Sequence, residues 1–296
     1  MTTTPSYVFL LSNGRSGSSL VQELLARHPD VGFISNIEDR FPQLPARVGR
    51  HNNELYRRVP QALTQKGRIR YAPSEGYRLL QRRVSPALVS SCRDLLAGDA
   101  EPWLAGRFRD LFTARREAQR KPLFIHKFTG WPRSGFISAA LPGARFIHIV
   151  RDPRAVAASG LKTSWWSGWQ GPAGLNFGAL APSYTAVWEE SGRSFPVLAA
   201  LSWKTVMDAF EAARGLVPAD RWLDVRFEDL LADPGTQFKK MTEFAGLPEH
   251  PRFRAALAAT TFEPGRVEAF RRDLDPASVA AMESCLSREL DYWGYR

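Results

Sequence analysis

The sequence predicts an α/β fold: three layers, αβα, around a central parallel sheet of about five strands, with a helical insertion. Three observations carry this expectation. Residues 7–11, YVFLL, form an unbroken apolar run that passes directly into a Gly/Ser/Arg turn at residues 12–17 and then into a helical pattern of Leu20, Val21, Leu24 and Leu25 that stops before Pro29. Residues 31–35, 123–128, 146–150 and 222–227 are four further short apolar segments, separated by helix-compatible stretches. Strands buried on both faces read as continuous apolar runs, and their alternation with helices marks parallel βαβ units. Finally, 296 residues at 44% apolar composition suffice for one sheet-centred core,.

Taken in order, the first strand and its turn deliver the chain to a helix whose N-terminal N–H groups converge with those of the turn, a natural seat for a phosphate or sulfate. The roughly 20 residues between the first two strands allow one right-handed crossover helix. Residues 41–120 break the rhythm, being rich in arginine and in helix formers, and are expected as a helical insertion over the sheet's ligand edge. Residues 162–183 are rich in Gly, Pro and Trp without periodicity and read as a long lid loop,. No repeat, low-complexity tract or linker interrupts the chain, so residues 1–296 are expected as a single domain.

The charge balance of 40 basic against 30 acidic residues, +10, suits a polyanionic ligand, a nucleic acid or an anionic membrane surface,. The arginines are scattered through Arg47, Arg50, Arg57, Arg58, Arg68, Arg70, Arg78, Arg82 and Arg83 without a lysine tail or a nucleic-acid-binding signature, which argues against nucleic acid,. No stretch reaches the ~20 apolar residues that span a bilayer, which leaves only peripheral membrane contact. The start MTTTPS lacks the parts of a secretory signal, so a cytoplasmic protein is expected,. Cys92 and Cys285 show no metal-ligand spacing and read as buried free thiols,.

The turn itself, Gly14-Arg15-Ser16-Gly17-Ser18-Ser19, is too short and lacks the lysine of G-x-x-x-x-G-K-[ST], and it lacks the G-x-G-x-x-G spacing of a dinucleotide site,. What remains is a loop in which Gly14 and Gly17 permit tight turning, Ser16, Ser18 and Ser19 add hydroxyls, and Arg15 adds a permanent charge. The rival is a helix start whose glycines merely turn the chain. A second constellation favours a ligand. In FIHIVRDPRAVAAS a strand ends at Arg151, Asp152 is placed to cap the next helix, Pro153 fits its first position, and Ser159 follows about two turns on,. An arginine at the carboxyl end of a parallel strand points into the crevice where open α/β sheets bind ligands.

Together, GRSGSS after the first strand and RDPRAVAAS after a later one resemble the two nucleotide-binding motifs of the sulfotransferases that use 3'-phosphoadenosine 5'-phosphosulfate (PAPS), enzymes with a P-loop-like fold. The resemblance implies that Arg15, Gly17, Ser18 and Ser19 hold the 5'-phosphosulfate and that Arg151 and Ser159 hold the 3'-phosphate. VRFEDLLADP at residues 225–234 and WGY at residues 293–295 are similar to further family segments. The arginine in the loop is similar to the bacterial and tyrosylprotein-type branch. The Arg-Lys-Gly segment of the cytosolic hormone branch is absent, and Arg266 in EPGRVEAFRR is the candidate to take part of its role, against a surface arginine.

Sulfuryl transfer to a hydroxyl or, less readily, an amine depends mainly on in-line positioning and on charge stabilisation of the leaving phosphate. Arg15 beside the bridging oxygen is expected to supply that stabilisation. Two side chains compete as the acceptor's base. Glu38 follows the second strand, and Glu38 with Arg40 resembles the catalytic Glu-x-Arg of tyrosylprotein sulfotransferases. His126, in LFIHKF, has an ordinary pKa of about 6.5 suited to proton removal, against a satisfied core histidine. Lys127 alternates to the opposite face of that strand and, by resemblance, contacts the leaving phosphate. Trp131, Trp165, Trp166 and Trp169 are either a hydrophobic plug or the grip on an apolar acceptor. No metal is required. The acceptor class, whether small molecule, lipid, glycan or peptide, stays open, as do a nucleotide kinase and a non-catalytic nucleotide-binding module.

Overall fold

The structure, a computed structural model, describes residues 6–60, 63, 71–175, 177–263 and 267–296. Five parallel strands, β1 (Tyr7–Ser12), β2 (Val31–Gly32), β3 (Leu123–Thr129), β4 (Arg145–Val150) and β5 (Trp222–Arg226), lie in one sheet in the order β2-β3-β1-β4-β5. With β1 central, the winding changes direction at its carboxyl end, the place where such sheets bind ligands.

The apolar runs form strands because both faces are covered. Tyr7, Phe9 and Leu11 point to one side, where Phe108, Phe112, Phe128, Phe136 and Phe146 gather. Val8 and Leu10 point to the other, against Val21, Leu24 and Leu25 of helix Ser18–Leu25 and Phe238 and Met241 further on. Phe9 is the hub of the aromatic side, with ring centroids 6.0 Å from Phe128 and 6.2 Å from Phe146. Each such side chain removed from water contributes about 1.5–3 kcal/mol.

Two elements differ from expectation. β2 pairs for only two residues, because beyond it the side chain of Gln119 takes the place of a neighbouring strand: its Oε1 accepts from Phe33 N at 3.1 Å and its Nε2 donates to Phe33 O at 3.0 Å. Phe227, expected to end the fifth strand, instead opens helix Phe227–Ala232. Within residues 41–120, helix Pro102–Gln119 starts with proline at its first turn and buries Leu104, Phe108, Leu111 and Phe112 at helical spacing,. It lies on the aromatic face of the sheet. Among the described residues no helix is long and apolar enough to cross a membrane.

Candidate active site

The loop after β1 is wound by two residues in left-handed backbone conformation, Arg15 at φ 67° and Gly17 at φ 81°. Only glycine fits at 17, since a Cβ there would lie 2.1 Å from the ring of Phe227,. A non-glycine residue held in this region stores strain, which is common at binding sites. Gly17 stands at the N-cap of helix Ser18–Leu25 without any side-chain cap, so the helix start stays open toward the loop,. Below it, Ser12 Oγ donates to Ser18 Oγ at 2.7 Å, and Asn13 Nδ2 donates to Trp203 O at 3.3 Å.

The second motif meets this loop. Arg15 Nε donates to Ser159 Oγ at 2.9 Å, and Arg151 Nη1 donates to the Arg15 carbonyl at 3.0 Å. The Arg151 guanidinium lies 5.0 Å from the centre of the Phe227 ring, so one phenyl group backs both Gly17 and Arg151,. Asp152 caps helix Pro153–Leu161 by accepting from Arg154 N at 2.8 Å,. Arg154 turns inward to pair with Asp152 at 2.7 Å and donates to Tyr295 O at 2.7 Å. Glu228 accepts from Asp152 N and from Tyr295 Oη, both at 3.0 Å, and Arg226 Nη2 donates to Gly294 O at 3.1 Å. The VRFED and WGY segments thus clasp each other around the start of the helix that carries Ser159.

Lys127 and His126 divide as strand alternation demands. Lys127, 3% exposed, donates to Ser19 Oγ at 2.7 Å and pairs with Glu75 at 2.8 Å. Glu75 also accepts from the Tyr77 hydroxyl. His126 is fully buried on the aromatic face, its ring 4.8 Å from Phe128 and 5.2 Å from Phe112. Neither ring nitrogen makes a hydrogen bond of ordinary geometry among the described residues. Burial, then repulsion from Lys127, Arg133 and Arg115, brings its pKa from 6.5 down to about 3,. Such an imidazole holds a proton poorly and lies on the face of β3 away from the Gly14–Ser19 loop, a placement that gives no support to its expected role as base.

Glu38, the other expected base, is likewise turned inward. It is 1% exposed, its Oε2 accepts from Ser35 N at 2.9 Å and Ser35 Oγ at 2.8 Å, and its Oε1 lies 3.3 Å from Arg115 Nε. Burial pushes its carboxyl above the usual carboxylate range, with Ser35 and Arg115 acting against the rise. The group is a capping-box acid for helix Asn36–Arg40, turned into the protein,. Arg40, next to it, is exposed. Trp131 is also inward, 7% exposed, donating to Ser91 O at 3.0 Å and meeting Phe177 edge-on. Trp166 packs edge-on against Phe195. Trp165 and Trp169 remain 62% and 63% exposed, and the Trp165 ring comes 3.9 Å from where a Gly14 Cβ would be. Arg266 lies outside the described residues.

Sequence reasoning missed Glu75 and Phe227. Glu75 sits in an aperiodic stretch, APSEGYR, where only the turn-forming Gly76 at φ 65° gave a local signal. Phe227 read as one more strand residue.

His126 carries a prediction. Because its folded pKa is depressed, the unfolded chain takes the proton first. Its contribution is therefore intact above about pH 6.5 and lost toward pH 3, by up to about 1.4 kcal/mol per pH unit. Replacing it by phenylalanine, which suits the surrounding rings, is expected to shrink the drop in urea midpoint between pH 7 and pH 5. Equal acid sensitivity in both proteins would show that another group titrates there.

Residues 5–251 match the sequence pattern of the sulfotransferase family. The omega-hydroxy-beta-dihydromenaquinone-9 sulfotransferase Stf3 of Mycobacterium bovis is 27% identical over 150 residues, which cover 47% of this chain and 34% of that protein, so the match spans about a third of the relative's length. Carbohydrate sulfotransferase 6 of Homo sapiens is 28% identical over 294 residues, 90% of this chain and 71% of that one. The solved structure of sulfotransferase STF9 from Mycobacterium avium shares the fold with a TM-score of 0.58 at 13% identity, covering 98% of this chain and 77% of that one. Sulfotransferase STF1 from Mycobacterium tuberculosis H37Rv does so at 0.54 and 19%, covering 92% and 76%. With the Gly14–Ser19 loop and the Arg151–Ser159 motif meeting at the end of β1 and the pattern extending over residues 5–251, the chain belongs to the sulfotransferase family.

Proposed function

We propose that this protein transfers the sulfuryl group of PAPS to an acceptor hydroxyl. The observation that carries the reading is the junction of the two anion motifs, in which Arg15 binds Ser159 and Arg151 binds the Arg15 carbonyl although 144 and 136 positions separate them. The donor fits this place. The helix start is uncapped, Ser16 Oγ is buried without a partner among the described residues, and Arg15, Arg151 and Lys127 bring positive charge. The lysine absent from the loop comes from β3 instead, which separates this site from a magnesium-dependent P-loop kinase,.

The phosphosulfate supplies the activated group when bound. Glu75 accepts the proton of the acceptor hydroxyl as its oxygen bonds to sulfur and the bridging S–O bond breaks. Lys127 and Ser19, joined to Glu75 in one chain of contacts, stand with Arg15 where negative charge develops on the leaving phosphate,. Cys92 is exposed and Cys285 half-buried, where both were expected buried; as free thiols they suit a reducing compartment, and a cytoplasmic setting is part of the proposal,.

Calorimetric titration tests the donor assignment. Adenosine 3',5'-bisphosphate is expected to bind in preference to ATP with magnesium, and Arg151→Ala to weaken it by about 10- to 100-fold, the loss of one or two charge-assisted hydrogen bonds. A preference for ATP, or an unchanged affinity in the variant, would overturn it.

A further inference from the structure

Directly beyond Glu75, helix Tyr77–Arg83 carries Arg78 and Arg82 at i, i+4, hence on one face,. Helix Asn36–Arg40 ends with Arg40. These three arginines, with Pro42, Gln81 and Pro86, line a groove of about 550 Å³. All three are exposed, and among the described residues none has a carboxylate within ion-pair distance. The adjacent acid, Asp39, is spent on the scaffold: it accepts from Leu79 N at 3.0 Å and from Ser74 Oγ at 3.3 Å. Those two bonds tie the helices to each other and to the turn that presents Glu75, so the groove and the carboxylate form one unit.

The lining selects by chemistry. Three guanidinium forks match carboxylate or sulfate groups in bidentate fashion, and the Gln81 amide can bond hydroxyls. Among the described residues no large apolar side chain lines the groove, so an isoprenoid or acyl tail finds little to bury there,. Among the described residues its lining comes from helices Asn36–Arg40 and Tyr77–Arg83 and from Pro42 and Pro86 outside them, with no strand among its walls, so a peptide finds no strand edge to extend,.

We propose that Arg40, Arg78 and Arg82 form the acceptor subsite for an acidic glycan, holding a uronate or sulfate group while a neighbouring sugar hydroxyl faces Glu75. This deepens the sulfotransferase reading and rests on it for the hydroxyl's fate.

The test is calorimetry on the protein saturated with adenosine 3',5'-bisphosphate. The probes are a tetrasaccharide of alternating glucuronate and N-acetylglucosamine and the same tetrasaccharide with its carboxyl groups reduced to alcohols. The acidic form is expected to bind at least about tenfold tighter. The Arg78→Glu, Arg82→Glu double variant should lose about 10- to 100-fold for the acidic form only, with its bisphosphate affinity unchanged, which also reports that it is folded. Equal binding of the two saccharides, or an unaffected double variant, would overturn the subsite, as would tighter binding of an oligoglutamate peptide. If the bisphosphate fails to bind, the donor assignment falls. The saccharide comparison can still be read without it, so the two failures are distinguishable.

Discussion

Glu75→Gln is expected to lower the rate of sulfuryl transfer by about two to four orders of magnitude without weakening the affinity for adenosine 3',5'-bisphosphate. The substitution keeps the shape of the side chain and its contact to the Tyr77 hydroxyl but removes the group that takes the acceptor's proton. Its effect on the donor should run the other way. Glu75 neutralises Lys127, whose ammonium lies 2.8 Å from it and 2.7 Å from Ser19 Oγ. A neutral glutamine leaves that charge uncompensated, so an anion beside Ser19 is held as well or better. Slow turnover with undiminished binding is a split that misfolding does not produce. Rapid turnover in Glu75→Gln would remove Glu75 from the chemistry.

The second large effect is on stability. Glu38→Ala is expected to cost about 3–5 kcal/mol, a lowering of Tm by roughly 5–10 °C for a chain of this size. Arg115, its side chain 5% exposed, would lose the carboxylate 3.3 Å from its Nε and remain buried with an uncompensated charge. Ser35 would lose both its N–H and hydroxyl acceptor at the start of helix Asn36–Arg40,. Replacing the pair together, Glu38→Leu with Arg115→Met, should recover much of the loss, because apolar groups of similar volume need no compensation there. Thermal unfolding of the two variants decides. An unchanged Tm in Glu38→Ala combined with abolished turnover would return Glu38 to the role of acceptor base.

Glu38 shows how two signals can compete at one residue. Its position after a strand, and its spacing to Arg40, pointed to the ligand edge. The same residue at the third position after Ser35 makes a capping box, and the structure follows that local chemistry. His126 and Lys127 show the complementary case. Strand alternation sends them to opposite faces, but which face receives the ligand depends on what covers the sheet. Helix Pro102–Gln119 brings Phe108 and Phe112 over the histidine's side, while Ser19 at the head of helix Ser18–Leu25 waits on the lysine's side. The tryptophans divided for the same reason. Trp131 and Trp166 met partners, and Trp165 and Trp169 did not find enough to cover them.

The sequence by itself determined the five-stranded parallel sheet, the tight loop of Gly14 to Ser19 and the capped helix carrying Ser159. These follow from apolar run length, glycine's backbone freedom and Asp-Pro at a helix start, all forces that act over a few residues. Only the tertiary structure decided that Arg15 meets Ser159, that Phe227 fills the space beside Gly17, and that Lys127 faces Glu75. Those contacts join residues 52 to 210 positions apart, and their geometry is set by how whole layers pack, which no local pattern encodes,.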